Sequence, residues 1–292
     1  MDMKQIRFSK AKVALLATCL TAGSAIACAC HGTIIVKKFY DANANGIQDS
    51  GEPRLVGWKM SLESASQSFS STLMTGAFGY ATWGVLPATD YTLREGTPLQ
   101  SNWVQSSPVD GSGNPVNPQT GIIATAGHTT QVSFGNYCTL PSGGRTPGYW
   151  SNKNGLNTLM DGGTLSPEFT LLSGLHLVDA SGQDFDPVTY PQFRTWLLAS
   201  DATNMAYKLS SHLAAMELNV EAGFVDGNRI YAPFGGSINQ LMTLANNSLQ
   251  SDPFTPAGHP ERAYQEQLKN YLDALNNGAG VVSPTPCAFS FD

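Results

Sequence analysis

Residues 41–53, DANANGIQDSGEP, place oxygen-bearing side chains at the first, third, fifth, ninth and twelfth positions of a twelve-residue loop, with Gly46 at the sixth. A hard divalent cation takes roughly six to eight oxygen ligands. The spacing offers Asp41, Asn43, Asn45, the carbonyl of Ile47, Asp49 directly or through water, and a bidentate Glu52, which together make a calcium loop. Gly46 permits the sharp turn such a loop needs. The plainer reading is an Asn/Asp/Gly-rich turn without metal, because these residues favour turns on their own account. The flanks decide the fold. TIIVKKFY (33–40) leads in and LVGWKMSL (55–62) leads out past Pro53, and both are β-branched and aromatic. The loop therefore joins strands, not the helices of an EF-hand.

Working outward, short strand-like runs cover approximately 33–40, 56–64, 69–75, 80–86, 90–96, 120–126 and 129–137, separated by Gly, Pro and Asn. Seven such runs predict an all-β sandwich. TGAFGYATW (75–83) reads as a hairpin signal with Gly76 and Gly79 available for positive φ, and LPATDY (86–91) as a second turn. Alternation along 80–86 leaves the buried face open, with Trp83 expected in the core. The segment 97–119 carries Pro98, Pro108, Pro115 and Pro118 and reads as an exposed excursion.

Beyond the seam LPSGGRTPG (140–148) the pattern turns helical. Residues 203–221 set Met205, Leu209, Leu213, Met216 and Val220 on one face; 237–250 do so with Ile238, Leu241, Met242, Ala245 and Leu249; 260–276 with Ala263, Tyr264, Leu268, Tyr271, Leu272 and Leu275. These stripes are read as core faces. Pro260 suits a helix start and Gly278 a stop. The expected organisation is a signal peptide at 1–27, a sandwich at 28–138 and a mainly α domain at 139–292.

The leader has Lys4, Arg7, Lys10 and Lys12 before an apolar run that closes on Ala25-Ile26-Ala27, as a secretory signal does. Without it, the chain keeps 12 basic and 21 acidic residues, a formal charge of −9. No basic stripe for nucleic acid remains, and no later stretch is apolar enough to predict a transmembrane span. Cleavage after Ala27 puts Cys28 first, which raises a lipid anchor as a lesser alternative. Four cysteines, Cys28, Cys30, Cys138 and Cys287, point to disulfides in an exported chain. Cys28 and Cys30 are too close to pair comfortably with each other, so each is expected to reach a distant partner, Cys138 or Cys287. The C-x-C-H run at 28–31 is one residue short of a haem-attachment motif.

Three separated motifs carry a resemblance. GTIIVKKFYDANANGIQDSGEPRLVGWKMSLES, TGAFGYATWGVLPATDYTLREGTPLQSNW and VSFGNYC resemble, in order, the SdrD B-like and Cna B-type (prealbumin-like) surface modules of bacteria, over about residues 32–138. The resemblance implies a transthyretin-like sandwich and, in the Sdr branch, calcium at the loop above. From the Cna B branch it implies an isopeptide bond between a first-strand lysine, Lys37 or Lys38, and Asn136, promoted by Glu95. That chemistry needs all three groups buried together, because burial is what strips the lysine of its proton. Strand alternation allows only one of the two lysines to face inward and does not say which. Ordinary surface lysines and a turn asparagine are the reading the sequence favours, since charged groups are seldom fully buried unpaired.

GRTPGYWSNKNG (144–155), MAYKLSSHLAAMELNVEAGF (205–224) and KNYLDALNNG (269–278) resemble a second class of exported domains that open on a T-P-G-Y/F-W motif. That class implies no activity. Ser151 and Lys153 stand where it usually has Lys and His around the motif's asparagine, and Tyr149 and Trp150 are expected to anchor the helices.

The five histidines fall in no zinc-ligand spacing, and there is no nucleophile elbow, Walker A or Rossmann glycine pattern. Asp184, Asp186 and Glu217 are weak candidates for paired-carboxylate hydrolysis, and His212 is expected to be a helix residue beside the core and not a catalytic base. No catalytic residue is expected. The reading is a secreted or cell-surface structural or adhesion protein that uses calcium as its cofactor. Its expected partners are surface or matrix proteins or polysaccharide; no LPxTG-type sorting signal is present. The alternative is a secreted hydrolase with its site in the helical half.

Overall fold

The computed structural model describes residues 31–292. Eight strands come first: β1 His31–Tyr40, β2 Lys59–Ser64, β3 Phe69–Met74, β4 Tyr80–Pro87, β5 Asp90–Glu95, β6 Trp103–Ser107, β7 Gln119–Ile123 and β8 Thr129–Pro141. Seven helices follow among the described residues: α1 Pro147–Trp150, α2 Lys153–Leu159, α3 Ser166–Leu172, α4 Tyr190–Ala199, α5 Met205–Glu221, α6 Ile238–Ser251 and α7 Arg262–Asn276. The short pair β9 Ile230–Tyr231 and β10 Gly236–Ser237 lies between α5 and α6, and β11 Gly280–Val282 follows α7.

One sheet runs β11-β8-β1-β4 with β6 on the other side of β8; the second runs β3-β2-β5-β7. Ile34, Val36 and Tyr40 of β1, Ala81 and Trp83 of β4, and Phe134 of β8 share one buried cluster with Met60 and Leu62 of β2 and Tyr91 and Leu93 of β5. The two sheets therefore enclose a common core, as a sandwich does. Period-two alternation sets the faces. It places Lys38 in line with Ile34 and Val36, Glu95 in line with Tyr91 and Leu93, and Asn136 in line with Phe134 and Cys138.

Several expectations need correcting. The 75–83 turn is not a hairpin, because β3 pairs with β2 while β4 pairs with β1; the turn carries the chain from one sheet to the other. Gly79 takes positive φ there and Gly76 does not. The segment 97–119 is not wholly an excursion: β6 pairs with β8 and buries Trp103. Its prolines lie outside Trp103–Ser107, so a short edge strand is compatible with them. In β4 the register slips where Gly32 and Ile34 of β1 face Leu86 and Trp83. Trp83 is buried as expected, but Val85 swings out to 72% exposure and Leu86 turns in. One extra residue in the strand reverses its face, which a strict alternation misses.

The helical half has its own cluster, centred on α5 and including Trp150, Phe193, Trp196, Leu213, Met216, Leu241, Leu268 and Leu272. Trp150 is buried and Tyr149 packs against the same core, the anchor the sequence suggests. Thr189 and Ser237 form capping boxes with Gln192 and Gln240. The third helical stripe starts too early in the sequence reading. Ala263 and Tyr264 are exposed, and Gln265 takes the inward position. Its amide accepts from Thr255 Oγ1 at 2.6 Å and donates to the Asp252 carbonyl at 2.9 Å, so a polar residue is satisfied where periodicity asks for an apolar one.

The expected cysteine pairing is also corrected. Cys138 bonds to Cys287, with Cα atoms 6.1 Å apart, which leaves neither available to Cys28 or Cys30; those two lie outside the described residues. The bond holds residues 287–292 on the sandwich, where Phe289 and Phe291 pack against its core.

Val85 is β-branched, exposed and held at φ 56°. A left-handed conformation is unfavourable for such a side chain by roughly 1–2 kcal/mol and costs glycine almost nothing. Val85→Gly is therefore expected to raise stability by about 1 kcal/mol, read as an upward shift of the urea midpoint; an unchanged or lower midpoint would count against strain at this bulge.

Candidate functional site

Lys38, Glu95 and Asn136 are 0%, 5% and 2% exposed. The Lys38 ammonium donates to Glu95 Oε2 at 2.6 Å and lies against Asn136 Oδ1. Asn136 Nδ2 donates to Glu95 Oε1 at 2.8 Å. One carboxyl group thus touches the lysine nitrogen with one oxygen and the asparagine nitrogen with the other. The lysine nitrogen also sits 4.5 Å from the centre of the Trp58 ring and 5.9 Å from that of Phe134. Burial lowers the Lys38 pKa to about 8, outweighing the Glu95 charge that pulls the other way. Such a pair costs desolvation and is kept only where its geometry is satisfied.

The surface-lysine reading favoured from sequence is therefore overturned for Lys38 and holds for Lys37, which stands on the other face with its nitrogen 5.6 Å from the Phe39 ring centre. Sequence reasoning missed two supports. Trp58 forms the apolar lid over the lysine. Asn117 grips the Glu95 backbone on both sides, accepting from its N–H and donating to its carbonyl at 3.0 Å each. A tryptophan just before β2 is a visible signal, whereas nothing in the spacing singles out Asn117.

The 41–52 loop bridges the two sheets, leaving β1 and entering β2. Asp41 is buried and accepts from the Asn45 and Gly46 N–H groups through its two oxygens, at 3.1 and 2.7 Å. Glu52 accepts from Ala42 and Asp49. The amides of Asn43 and Asn45 both turn to Asp49 Oδ2, at 2.8 and 2.7 Å. Gly46 has φ +80°. Asp41, Asn43, Asn45, Asp49 and Glu52 are thus knitted into one ring. No ion pair among the described residues offsets the three carboxylates. No group of three His, Cys, Asp or Glu at metal spacing occurs among the described residues either, so any cation here draws on amide and carbonyl oxygens as well. The donor set, all oxygen with three uncompensated charges, fits calcium. Loop and triad are also in direct contact: the Asp41 N–H donates to the Asn136 carbonyl at 2.9 Å.

No protein-family model and no curated relative matches this chain. Among solved structures it is similar to the Bacillus anthracis TIE protein (17% identity, TM-score 0.25, covering 36% of this chain and 16% of that one). It is also similar to the minor pilin GBS52 of Streptococcus agalactiae (15%, 0.26, 36% and 44%) and the shaft pilin SpaA of Lactobacillus rhamnosus GG (12%, 0.26, 38% and 51%). The chain spans about half the length or less of each.

In the helical half, Asp184 and Asp186 are exposed and Glu217 is half-buried on α5, with no hydrogen bond or ion pair joining them. No described helix is long and apolar enough to cross a membrane. His212 is buried on α5, its Nδ1 3.8 Å from Asp273 and without a hydrogen-bond partner. Burial lowers its pKa from 6.5 to about 4, aided by Lys208 and Lys269 and opposed by Asp273. The unfolded chain then binds the extra proton between those values, so this contribution is complete above pH 6.5 and is lost as pH falls toward 4. The expected loss is on the order of 3 kcal/mol. His212→Gln should flatten the decline in chemical-denaturation stability over that window; parallel profiles for the two proteins would contradict it.

Proposed function

We propose that this chain is an exported structural or adhesion protein of a bacterial surface. Its sandwich is locked by an amide bond between Lys38 and Asn136 and braced by calcium at the 41–52 loop. The reading extends to a Cna B-type, transthyretin-like module with the calcium loop of the Sdr branch, followed by a helical T-P-G-Y-W-type unit. Its partners are surface or matrix proteins or polysaccharide.

The observation that carries the proposal is the burial of the Lys38 nitrogen against both Glu95 and Asn136. The steps follow from the contacts. The ammonium passes a proton to the Glu95 carboxylate, giving a neutral amine and a carboxylic acid. The amine's lone pair attacks the Asn136 side-chain carbonyl carbon, which the acid polarises. Glu95 takes the second proton from the attacking nitrogen through one oxygen and delivers a proton to Asn136 Nδ2 through the other. The carbon–nitrogen bond of the asparagine amide breaks and ammonia leaves, taking the proton still held by Glu95 and departing as ammonium, so the Lys38–Asn136 amide remains with Glu95 again a carboxylate. Holding the groups in contact converts a slow bimolecular aminolysis into an intramolecular one. Calcium, when bound, would supply positive charge to three clustered carboxylates, with Asp41, Asn43, Asn45, Ile47, Asp49 and Glu52 as its holders.

Intact mass of the protein is expected to fall short of the sequence mass by one ammonia, and Glu95→Gln, which keeps the shape but cannot shuttle protons, should restore the full mass. A full mass for the unaltered chain would refute the bond. The link closes a separation of 98 residues, comparable to a disulfide loop that stabilises by about 4–5 kcal/mol. Asn136→Ala should therefore lower the melting temperature of the sandwich by on the order of 10–20 °C.

Calcium removal by chelation is expected to lower the melting temperature, with a Kd of about 10⁻⁴ to 10⁻³ M, in the range of extracellular modules. Glu52→Gln should abolish the difference between chelated and calcium-loaded samples. Identical melting curves for the unaltered protein in both conditions would remove calcium from the proposal.

A further inference from the structure

We propose that the C-terminal segment 287–292, tied down by the Cys138–Cys287 bond, is a working part of the bond-forming site: Phe289 and Phe291 clamp Trp58 over Lys38 and keep water from it. The inference rests on the amide-bond reading above and deepens it.

Trp58 has three aromatic neighbours that fix its ring. Trp103 stands 5.1 Å away between centres, Phe289 4.7 Å and Phe291 5.3 Å. Two of the three therefore come from a segment more than 220 residues further along the chain. The segment has its own anchors. The Cys287 N–H donates to Cys138 Sγ, the Trp103 indole to the Ala288 carbonyl at 3.3 Å, and the Leu99 N–H to the Ser290 carbonyl at 2.9 Å; Gln100 and Ser290 exchange two further bonds. Alternation in Cys287-Ala288-Phe289-Ser290-Phe291 turns both phenylalanines to the same side. Phe291 also walls a polar cavity of about 460 Å³ bordered by Lys59, Arg94, Glu95 and Asn117. Glu95 is thus the member of the triad that borders this cavity, with Phe291 on the same wall.

The consequence is chemical. Attack requires a neutral amine, and desolvation is what lowers the Lys38 pKa. Loosening the clamp admits water, restores the lysine's charge and removes the attacking lone pair. Each unit by which its midpoint rises cuts the neutral fraction at pH 7 about tenfold. Phe289 and Phe291 are positioning residues: they touch neither the reacting nitrogen nor the reacting carbon.

The test reads the lysine directly, in the full chain. In an Asn136→Ala background, where no bond can form, the Lys38 side chain is titrated by NMR with and without Phe289→Ala and Phe291→Ala. The expected midpoint is near 8 with the phenylalanines and near the ordinary lysine value of about 10.4 without them. Equal midpoints overturn the inference. With Asn136 present, the same double substitution should slow ammonia loss at pH 7 tenfold or more and recover it as pH rises, which a merely structural strap would not do. Phe291→Ser alone is the milder variant should the double one not fold. An unaltered chain that never loses ammonia refutes the amide bond, while the titration still decides on the clamp.

Discussion

A lysine ammonium with no exposed surface is the constraint around which the sandwich is arranged. Its charge has lost water, and among the described residues its hydrogen-bonding compensation is the Glu95 carboxylate and the Asn136 side-chain oxygen, with the Trp58 ring face beside them. Lys38 and its two partners sit on three different strands in two different sheets, so Lys38 can be satisfied only when the sheets have closed on each other in the correct register. A one-residue slip in β1 would bring out Lys38 and turn in Lys37, which has no such partners. Satisfying the charge and selecting the fold are the same event.

That event reaches the acidic loop through very few bonds. Lys38 lies three residues before Asp41, and the Asp41 N–H is held by the carbonyl of Asn136 itself. The Lys38 carbonyl in turn accepts from the Leu55 N–H at 3.1 Å, just past the loop's exit. Both ends of the loop are therefore pinned to the triad's own strands. Ordering the loop and ordering the triad reinforce each other, since each removes backbone freedom that the other would otherwise have to remove.

Legibility in the sequence followed the range of the interaction. The acidic loop is local, so its residue spacing alone named every side chain in the ring. The strands with simple alternation, and the helices α5 and α6, were legible for the same reason. Lys38 against Lys37 was not, because the choice depends on which face of β1 meets a sheet formed by residues far along the chain. Val85 escaped because the bulge at Gly84-Val85 reverses a face in mid-strand, and Gly84 reads equally well as one more step of the alternation. Gln265 escaped because its partners, Thr255 and the end of α6, are supplied by tertiary structure. The cysteine reading, which sent Cys28 and Cys30 to Cys138 and Cys287, missed that the last two are adjacent in the fold although 149 residues apart.

The strand β8 explains why the last residues of the chain return to the first domain's core. At 13 residues it is longer than any of its neighbours, and its length is divided. Thr129–Asn136 pairs in parallel with β1, while Thr139–Pro141 runs past the end of β1 and pairs with β11. β11 therefore continues the line of β1 along the same edge of β8. Chain leaving β11 arrives beside Cys138, where the Ser283 N–H meets the Cys138 carbonyl and the Tyr40 hydroxyl meets the Ser283 carbonyl at 2.6 Å. From that point residues 284–287 have only to turn once for Cys287 to reach Cys138. The disulfide captures a segment that strand pairing has already delivered, and this places Phe289 and Phe291 over Trp58. The helical half thus lies, along the chain, between two pieces of one β assembly.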